Sequence, residues 1–350
     1  AAFWHDGTLL PCSNVQFGEG GAGTFSDGKL NTGTHDPRQR AILETFVQCG
    51  APEEILWQAA PHVGTDRLRT VVANLRRELL ALGAEIRFET QLVGLEHSGG
   101  ALTAVRLRDV YGEHVEPAGA VCLAIGHSAR DTFSMLYDAG VPMQQKPFAM
   151  GVRIEHRQED ISRAQYGRFA PLLPPASYKL SCHLPDGRGV FSFCVCPGGT
   201  VVASASEPGH LVTNGMSEFA RDGANINGAL LASVTPADFG SAHPLAGVAL
   251  QRQIEAAAFL LGGGTYDAPC QRVEDFLAGR PSTGPGAVLP SYRPGVAYTD
   301  LHQCLPDWLS APLEAALPLL GRKLSGYDAP DALLTAAETR SSSPVRIARD

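Results

Sequence analysis

The amphipathic segment at residues 65–83 is the sequence feature that most constrains the fold. Its apolar residues recur at steps of three and four, as they do on one face of a helix, and they are Leu68, Val71, Val72, Leu75, Leu79 and Leu82. Thr65 or Asp66 can cap the start of this helix and Gly83 can end it. The segment AEIRFET follows directly and alternates like a strand. A helix, a glycine stop and a strand in this order predict an α/β architecture.

A second strand-to-helix transition is predicted around residue 126. The near-continuous apolar run from Ala120 to Ile125 predicts a strand that is covered on both faces, as in a parallel sheet. The run ends at Gly126-His127-Ser128, and the following segment ARDTFSMLYDAG has a helical pattern that Ser128 can cap. Ligands bind at the carboxyl ends of strands in open α/β sheets, so this turn is a candidate binding site.

The composition changes after Pro147. Residues 148–300 are rich in Gly and Pro and contain short β-like segments, interrupted by one long apolar helix. A chain of 350 residues is long enough for two ordinary domains. The change therefore predicts a second, strand-rich domain.

Charge and cysteine content argue against several classes of partner. The net charge is −8 with no basic stripe, which argues against nucleic acid. No apolar run approaches the roughly 18 residues that cross a bilayer, which argues against a membrane span. Eight scattered cysteines without a C-x-x-C pair or a signal peptide predict a reducing, cytoplasmic setting. The expected partner is a small molecule, and the sequence does not determine the oligomeric state.

Cys194-Val195-Cys196 is the closest pair of cysteines in the chain. On a strand, residues two apart lie on the same face, so the simplest interpretation is a strand with both thiols on one side. A redox or metal role is the alternative. No zinc-binding pattern of the H-E-x-x-H type occurs, and we expect no metal site.

The stretch SNVQFGEGGAGTFSDGKL, which begins at residue 13, concentrates glycine in one loop. Closely spaced backbone N–H groups, two hydroxyls and one ammonium make a candidate nest for an anion such as phosphate. The candidate residues are Gly18, Glu19, Gly20, Gly21, Gly23, Thr24, Ser26 and Lys29. The spacing matches neither G-x-G-x-x-G nor G-x-x-x-x-G-K-[ST], and a flexible surface loop is the alternative interpretation.

Six phrases, in order along almost the whole chain, carry a family resemblance: SNVQFGEGGAGTFSDGKL, LAIGHSARDTF, KPFAMGVRIEH, GHLVTNGMS, GRPSTGPG and ETRSSSPVRI. Together they resemble a family of uncharacterised bacterial FAD-dependent dehydrogenases. These belong to the flavoproteins with a glutathione-reductase-like FAD/NAD(P)-binding domain and an inserted substrate domain. The resemblance implies a flavoprotein with noncovalent FAD, and NAD(P)H is one candidate electron donor.

The resemblance also implies a domain organisation. The expected FAD domain is a Rossmann-like three-layer domain of residues 1–147 plus 326–350, and residues 148–325 form an inserted β-rich α+β substrate domain. Relative to the family, the sequence lacks the first βαβ unit with its G-x-G-x-x-G loop and the segment that closes the flavin site. The chain is therefore expected to be truncated at both ends.

The resemblance further assigns candidate cofactor-binding residues. The glycines from Gly18 to Gly23 are expected against the FAD pyrophosphate and flavin ring, and the turn of Gly126, His127 and Ser128 is expected near the cofactor. The phrase ETRSSSPVRI brings Arg340 and Ser341 back to the flavin. Arg340 either offsets charge on reduced flavin or phosphate, or it makes a structural ion pair.

A flavin carries the redox step itself, so the protein mainly binds the substrate and moves protons. The candidate proton-transfer residues are His210, Glu155 and His156. His210 lies in a loop among Pro, Gly and Asn, where catalytic groups are often placed, and histidine as a residue type titrates near neutral pH. Glu155 and His156 point to opposite faces of a strand, and the alternative for them is a charged residue and a surface imidazole.

These observations predict an FAD-dependent oxidoreductase that acts on an unknown small molecule. The alternative is a non-catalytic flavoprotein remnant that acts as a binding module without cofactor.

Overall fold

The computed structural model describes residues 2–20, 28–30 and 36–349. Contacts between residues divide the chain into two compact units. Unit 1 comprises Ala1–Glu78, Ala149–Ser233 and Arg252–Ser341, and unit 2 comprises Leu79–Phe148, Val234–Gln251 and Ser342–Asp350. Both units contain helices and strands, so the chain has a mixed α/β architecture.

The helices and strands follow one another throughout the described chain. The helices are α1 Ala2–Asp6, α2 Arg38–Gln48, α3 Thr65–Ala81, α4 Arg130–Asp138, α5 Gln158–Tyr166, α6 Ala246–Leu261, α7 Val273–Leu277 and α8 Asp307–Gly321. The strands are β1 Gln91–Ser98, β2 Ala101–Asp109, β3 Gly112–Pro117, β4 Met143–Gln145, β5 Phe148–Arg157, β6 Ser181–His183, β7 Gly189–Cys196, β8 Thr200–Ala203, β9 Thr213–Met216, β10 Asn225–Val234, β11 Ala268–Arg272, β12 Val296–Tyr298, β13 Leu333–Glu338 and β14 Val345–Ile347.

Unit 1 is built on a seven-stranded sheet with the order β12-β11-β13-β5-β10-β7-β6. β11 and β12 pair in parallel, whereas β13 pairs antiparallel with both β11 and β5. β7 likewise pairs antiparallel with β10 and β6. The three central strands β13, β5 and β10 are buried along almost their whole length. Such burial requires that both faces of the sheet are covered.

Polar side chains occupy alternate positions on two of these buried strands. Arg153 and Glu155 are two residues apart on β5, and Asn225 and Asn227 are two residues apart on β10. All four are buried. Because alternate residues of a strand point to the same face, each pair places its side chains on one side of the sheet.

Strand β7 carries a β-bulge. Cys196 pairs with Asn227 and Phe193 pairs with Ala229, so three steps along β7 oppose two steps along β10. Cys194 lies inside the bulge and has a positive φ of 46°. A bulge of this kind redirects side chains and increases the local twist of the strand.

The hairpin of β8 and β9 packs against the polar centre of the sheet. Its strands pair antiparallel from Thr200 opposite Met216 to Ala203 opposite Thr213. A Cβ atom on Gly215 would lie 2.0 Å from the Arg153 NH2 atom and 2.2 Å from the Asn227 Oδ1 atom. The β9 backbone therefore approaches these two side chains as closely as a glycine permits.

The first 78 residues contribute a small apolar core to unit 1. Its buried residues include Ile55, Val63, Leu68 and Val71, and the apolar faces of α2 and α3 pack against it. The periodicity that predicts a helix over residues 65–83 is confirmed by α3.

Unit 2 contains the antiparallel sheet β1-β2-β3 and the antiparallel pair of β4 with β14. Phe133 of α4, Val248 of α6 and Val345 of β14 form its buried apolar cluster. No helix in the described ranges is both long and apolar enough to span a membrane.

Two strand predictions are wrong. The segment AEIRFET and the apolar run from Ala120 to Ile125 form no strand, and most of this run is exposed. An extended segment becomes a strand only when a neighbour pairs with it, and neither segment has such a neighbour among the described residues. Ser128 also does not cap α4, because Ala129 occupies the N-cap position.

The Rossmann-like three-layer domain and the boundaries 1–147 plus 326–350 and 148–325 stay predictions. The strand pairs found in the described parts of the first two ranges are antiparallel. The expected boundary at residue 147 falls beside the change from unit 2 to unit 1 at Phe148 and Ala149.

Candidate functional site

The first glycines of the Gly-rich loop are exposed. Gly18, Glu19 and Gly20 are exposed, and the Glu19 carboxylate pairs with Arg76 at 3.0 Å. Gly18 has a φ of 118°, and a Cβ atom there would meet none of the described residues within 4 Å. The turn therefore leaves its main chain accessible. The other predicted ligands of this loop lie outside the described residues, and they are Gly21, Gly23, Thr24 and Ser26.

Lys29 follows this loop and reaches the bulge of β7. An antiparallel bridge between Lys29 and His62 fixes its backbone. Its ammonium donates a hydrogen bond to the Val195 carbonyl and lies 4.0 Å from the Cys196 sulfur. The structure thus directs the Lys29 charge toward the two cysteines of β7.

Two distant parts of the chain meet at the segment that follows β8. The amide of Gln16, which lies in the Gly-rich stretch, donates to the Ser204 carbonyl at 3.2 Å and also to the Ser204 hydroxyl. The Arg340 NH1 group, which lies in ETRSSSPVRI, donates to the Ser206 hydroxyl at 2.5 Å. Gln16 and Arg340 therefore bind Ser204 and Ser206, which are two residues apart on the segment after β8.

Arg340 is held by a buried carboxylate of α6. Its Nε and NH2 groups donate to the two carboxylate oxygens of Glu255 at 3.0 and 2.9 Å. The Thr339 hydroxyl donates to the same carboxylate at 2.7 Å. All three guanidinium nitrogens therefore donate to protein oxygens, and bidentate pairs of this kind fix the geometry of both partners. The adjacent Ser341 hydroxyl donates to the Ala149 carbonyl at 2.6 Å.

The turn at Gly126, His127 and Ser128 lies in unit 2 and precedes α4. Gly126 is exposed with a φ of 68°, and no atom in the described part of the chain lies within 4 Å of where its Cβ would be. The His127 Nδ1 atom and the Ser128 hydroxyl are 2.9 Å apart. The N-cap residue Ala129 makes no side-chain cap. Like Gly18, this turn leaves its backbone accessible to a ligand.

Two of the three candidates for proton transfer are enclosed in the protein. The Glu155 carboxylate accepts hydrogen bonds from Asn225 at 3.0 Å and from the backbone and hydroxyl of Ser291. Burial raises the pKa of Glu155, although these hydrogen bonds oppose the shift. His156 lies 2.8 Å from the Tyr327 carbonyl, and burial lowers its pKa to about 4. His156 is therefore not the surface imidazole that the alternative interpretation of the sequence describes.

His210 is the candidate that stands nearest to solvent. It is half-buried, and its Nδ1 atom lies 2.9 Å from the Pro208 carbonyl. It follows Ser206 by four residues, so it belongs to the loop that continues from the meeting point of the two segments. A histidine in such a loop can exchange protons with a bound molecule.

Sequence reasoning missed the buried ion pair at the centre of unit 1. Arg153 is fully buried, and its NH1 group lies 3.4 Å from both carboxylate oxygens of Glu338. Its NH2 group donates to the Cys194 carbonyl at 3.1 Å and to the Asn227 side chain. Burial raises the pKa of Glu338 to about 7, and the charge of Arg153 opposes this shift. The signal in the sequence was a charged residue, Arg153, inside the otherwise apolar phrase FAMGVRI.

A groove in unit 1 lies between α5 and the turn after β9. It has a volume of about 650 Å³, and its lining includes Ser162, Arg163, Arg168, Arg221 and Asp222. Arg163 is already paired with Glu159 of the same helix. Separately, the described residues contain no cluster of His, Cys, Asp or Glu that could hold a metal ion.

Comparisons with known proteins give a family for this chain. A family model described as "FAD-dependent protein, C-terminal domain-like" matches residues 147–341. An uncharacterised protein of Clostridium beijerinckii is 48% identical over 351 residues, a match that covers 99% of this chain and 65% of that protein. The chain thus spans about two thirds of the length of this relative.

Similarity to solved structures is weak. OxyS, an anhydrotetracycline hydroxylase from Streptomyces rimosus, matches with 17% identity and a TM-score of 0.24 over 49% of this chain and 28% of that chain. BexE matches with 21% identity and a TM-score of 0.25 over 43% of this chain and 33% of that chain. Neither similarity carries an argument about this fold. The family model, in contrast, matches more than half of the sequence. The chain therefore belongs to the FAD-dependent protein, C-terminal domain-like family.

Proposed function

We propose that this chain serves an FAD-dependent oxidoreductase that acts on a small organic molecule through the flavin. Family membership supports the cofactor. The observation that carries the proposal is the meeting of Gln16 and Arg340 on Ser204 and Ser206, because it gathers the two sequence phrases that the resemblance assigns to the flavin. The expected setting is cytoplasmic.

The described residues fit a dinucleotide through backbone turns better than through side-chain charges. Lys29 and Arg340 already donate to protein oxygens. Gly18 and Gly126, in contrast, stand in open turns with positive φ, and a backbone N–H in such a turn can approach a pyrophosphate. We therefore assign contact with FAD to the main-chain turn at Gly18 in unit 1, keep the turn at Gly126 in unit 2 as a separate candidate, and assign Arg340 to holding its own turn in place.

A bound flavin would supply the two-electron acceptor or donor for the reaction. The protein's own contribution is to position the substrate and to hold or move a proton. His210 fits this role at its imidazole because it is accessible and lies next to the Ser204–Ser206 segment. Glu155 and His156 are enclosed, so they fit a supporting role in which their hydrogen bonds fix the strands around them.

The test is the flavin content of the purified protein. This chain and the longer Clostridium beijerinckii relative are purified in parallel, supplied with FAD and freed of unbound cofactor. We expect both to retain the visible absorption of oxidised flavin. Anaerobic addition of NADH or NADPH, followed by loss of that absorption, then tests a nicotinamide as the electron donor.

Two glycine variants give the residue-level control. Gly126→Val places a side chain in the candidate turn, and Gly99→Val does the same in the exposed β1–β2 turn, where φ is 59° and the space is equally open. We expect Gly126→Val to lower FAD retention at least about fivefold, the effect of about 1 kcal/mol of strain, and Gly99→Val to leave it unchanged.

The alternative is a folded binding module without cofactor. A colourless chain that ignores added FAD supports this alternative and overturns the proposal for this chain, whether or not the relative retains flavin.

A further inference from the structure

The bulge in β7 brings two cysteine residues into contact. On a flat strand, residues two apart are separated by about 6.6 Å, whereas a disulfide needs Cβ atoms about 3.8 Å apart. The extra residue of the bulge and the positive φ of Cys194 bend this strand out of the flat geometry. As a result, the Cys196 thiol turns back toward Cys194 and donates a hydrogen bond to that residue. All eight cysteines are reduced thiols in the structure.

The two thiols differ in access. Cys196 is completely buried, whereas Cys194 is half-buried. The Cys196 thiol also lies 3.3 Å from the Cys194 carbonyl, to which it donates. A reagent from solution therefore reaches Cys194 first, and Cys196 stands behind it.

Two cations face the buried sulfur. The Arg153 NH2 atom lies 3.9 Å from the Cys196 sulfur, and the Lys29 ammonium lies 4.0 Å from it. Nearby cations stabilise a thiolate, which is the nucleophile in thiol–disulfide exchange. Hydrogen bonding with Cys194 and burial raise the pKa of the Cys196 thiol, and the two cations act against this rise, in favour of the thiolate that the second step of an exchange requires.

We propose that Cys194 and Cys196 form a redox-active dithiol that closes to an intramolecular disulfide by exchange with a small-molecule disulfide. This inference is independent of the flavin. It gives a role to the Cys194-Val195-Cys196 motif, which the proposed function does not use.

The exchange has two balanced steps. The Cys194 thiolate attacks one sulfur of the small disulfide, which forms a mixed disulfide and releases one thiolate of the small molecule. The Cys196 thiolate then attacks the Cys194 sulfur, closes the protein disulfide and releases the second thiolate. Two cysteine thiols lose two electrons and two protons, and the small disulfide is reduced to two thiols.

The chain offers a clean readout of this reaction. Trypsin cleavage after Arg188 and Arg221 releases one peptide whose only cysteines are Cys194 and Cys196. The folded protein is incubated with oxidised glutathione, quenched in acid, alkylated, digested and weighed. We expect this peptide to lose the mass of two hydrogens, to resist alkylation, and to regain both thiols with dithiothreitol.

Single variants separate the two steps. Cys196→Ser should leave glutathione attached at Cys194, because nothing displaces it, and Cys194→Ser should leave Cys196 unmodified. The exposed cysteines Cys12 and Cys122 report in the same sample that the oxidant is active. The proposal is overturned if those two react while the wild-type peptide keeps both thiols or retains a glutathione adduct. Circular dichroism of each variant confirms that it is folded.

Discussion

At the scale of single residues, Arg153 organises the centre of unit 1. It is fully buried, and it contacts Glu338 of β13, Asn227 of β10 and the Cys194 carbonyl of β7. One guanidinium thereby links three neighbouring strands to the strand that carries it. A buried charge of this kind is stable only with its partners in place, because its desolvation is otherwise uncompensated.

The close approach of β9 to Arg153 gives a prediction for Gly215. Gly215→Ala would place a methyl group 2.0 Å from the Arg153 NH2 atom. Either the guanidinium or the hairpin must move, and overpacking of this kind costs about 1–3 kcal/mol. We expect urea unfolding to show this loss of free energy. Gly284→Ala is the matched control, because a Cβ atom there meets nothing within 4 Å, and equal stability of the two variants would contradict the prediction.

At the scale of elements, a histidine between two carboxylates connects α8 to its neighbours within unit 1. The His302 Nδ1 atom lies 2.6 Å from an Asp300 oxygen, and its Nε2 atom contacts the Glu314 carboxylate of α8. Its ring stacks on Phe276 of α7 at 4.6 Å between centroids. The imidazole therefore joins α8 to the segment before it and to α7.

This arrangement predicts a pH-dependent attachment. Burial lowers the pKa of His302, but the hydrogen bonds to Glu314 and Asp300 outweigh it, and the net shift is upward. Because the folded pKa is raised, the stabilisation is complete below about pH 6.5, the unfolded value, and is lost as the pH rises through the folded pKa. His302→Gln should remove this part of the pH dependence.

Urea unfolding of wild type and His302→Gln at pH 6 and pH 8 measures the effect. The difference in unfolding free energy between the two proteins should be larger at pH 6, by under about 1 kcal/mol since the pair is partly solvated. A constant difference at both pH values would show that the histidine is not charged in the folded protein.

The elements also show which structural features a sequence can reveal. Helix α3 follows local periodicity, and the sequence predicts it. The run from Ala120 to Ile125 carries an equally strong local pattern but forms no strand, because pairing depends on a neighbour elsewhere in the chain. The bulge at Cys194 could not be predicted from the sequence for the same reason, because it is defined by the register of β7 with β10.

At the scale of the whole molecule, the candidate site joins segments that are far apart in sequence. Gln16 and Ser204 are separated by 188 positions, and Ser206 and Arg340 by 134. No local pattern predicts such a meeting, and only the resemblance to a flavoprotein family suggested it. The partners of individual side chains are still harder to predict from sequence. Arg340 could bind phosphate or form an ion pair, and the ion pair requires Glu255, which no motif singled out.

The two units should also differ in how readily they open. In unit 1, β5, β10 and β13 are buried along nearly every residue, whereas β1, β2 and β3 of unit 2 are half-buried or exposed throughout. Local opening is easiest where few apolar contacts are lost, so the amides of β1–β3 should exchange with deuterium at least tenfold faster, which is a difference of about 1.4 kcal/mol in opening free energy. Hydrogen exchange of the intact chain, read by mass spectrometry, measures both sets of peptides in one sample. Equal protection of the two sheets would instead mean that the units unfold as one cooperative structure.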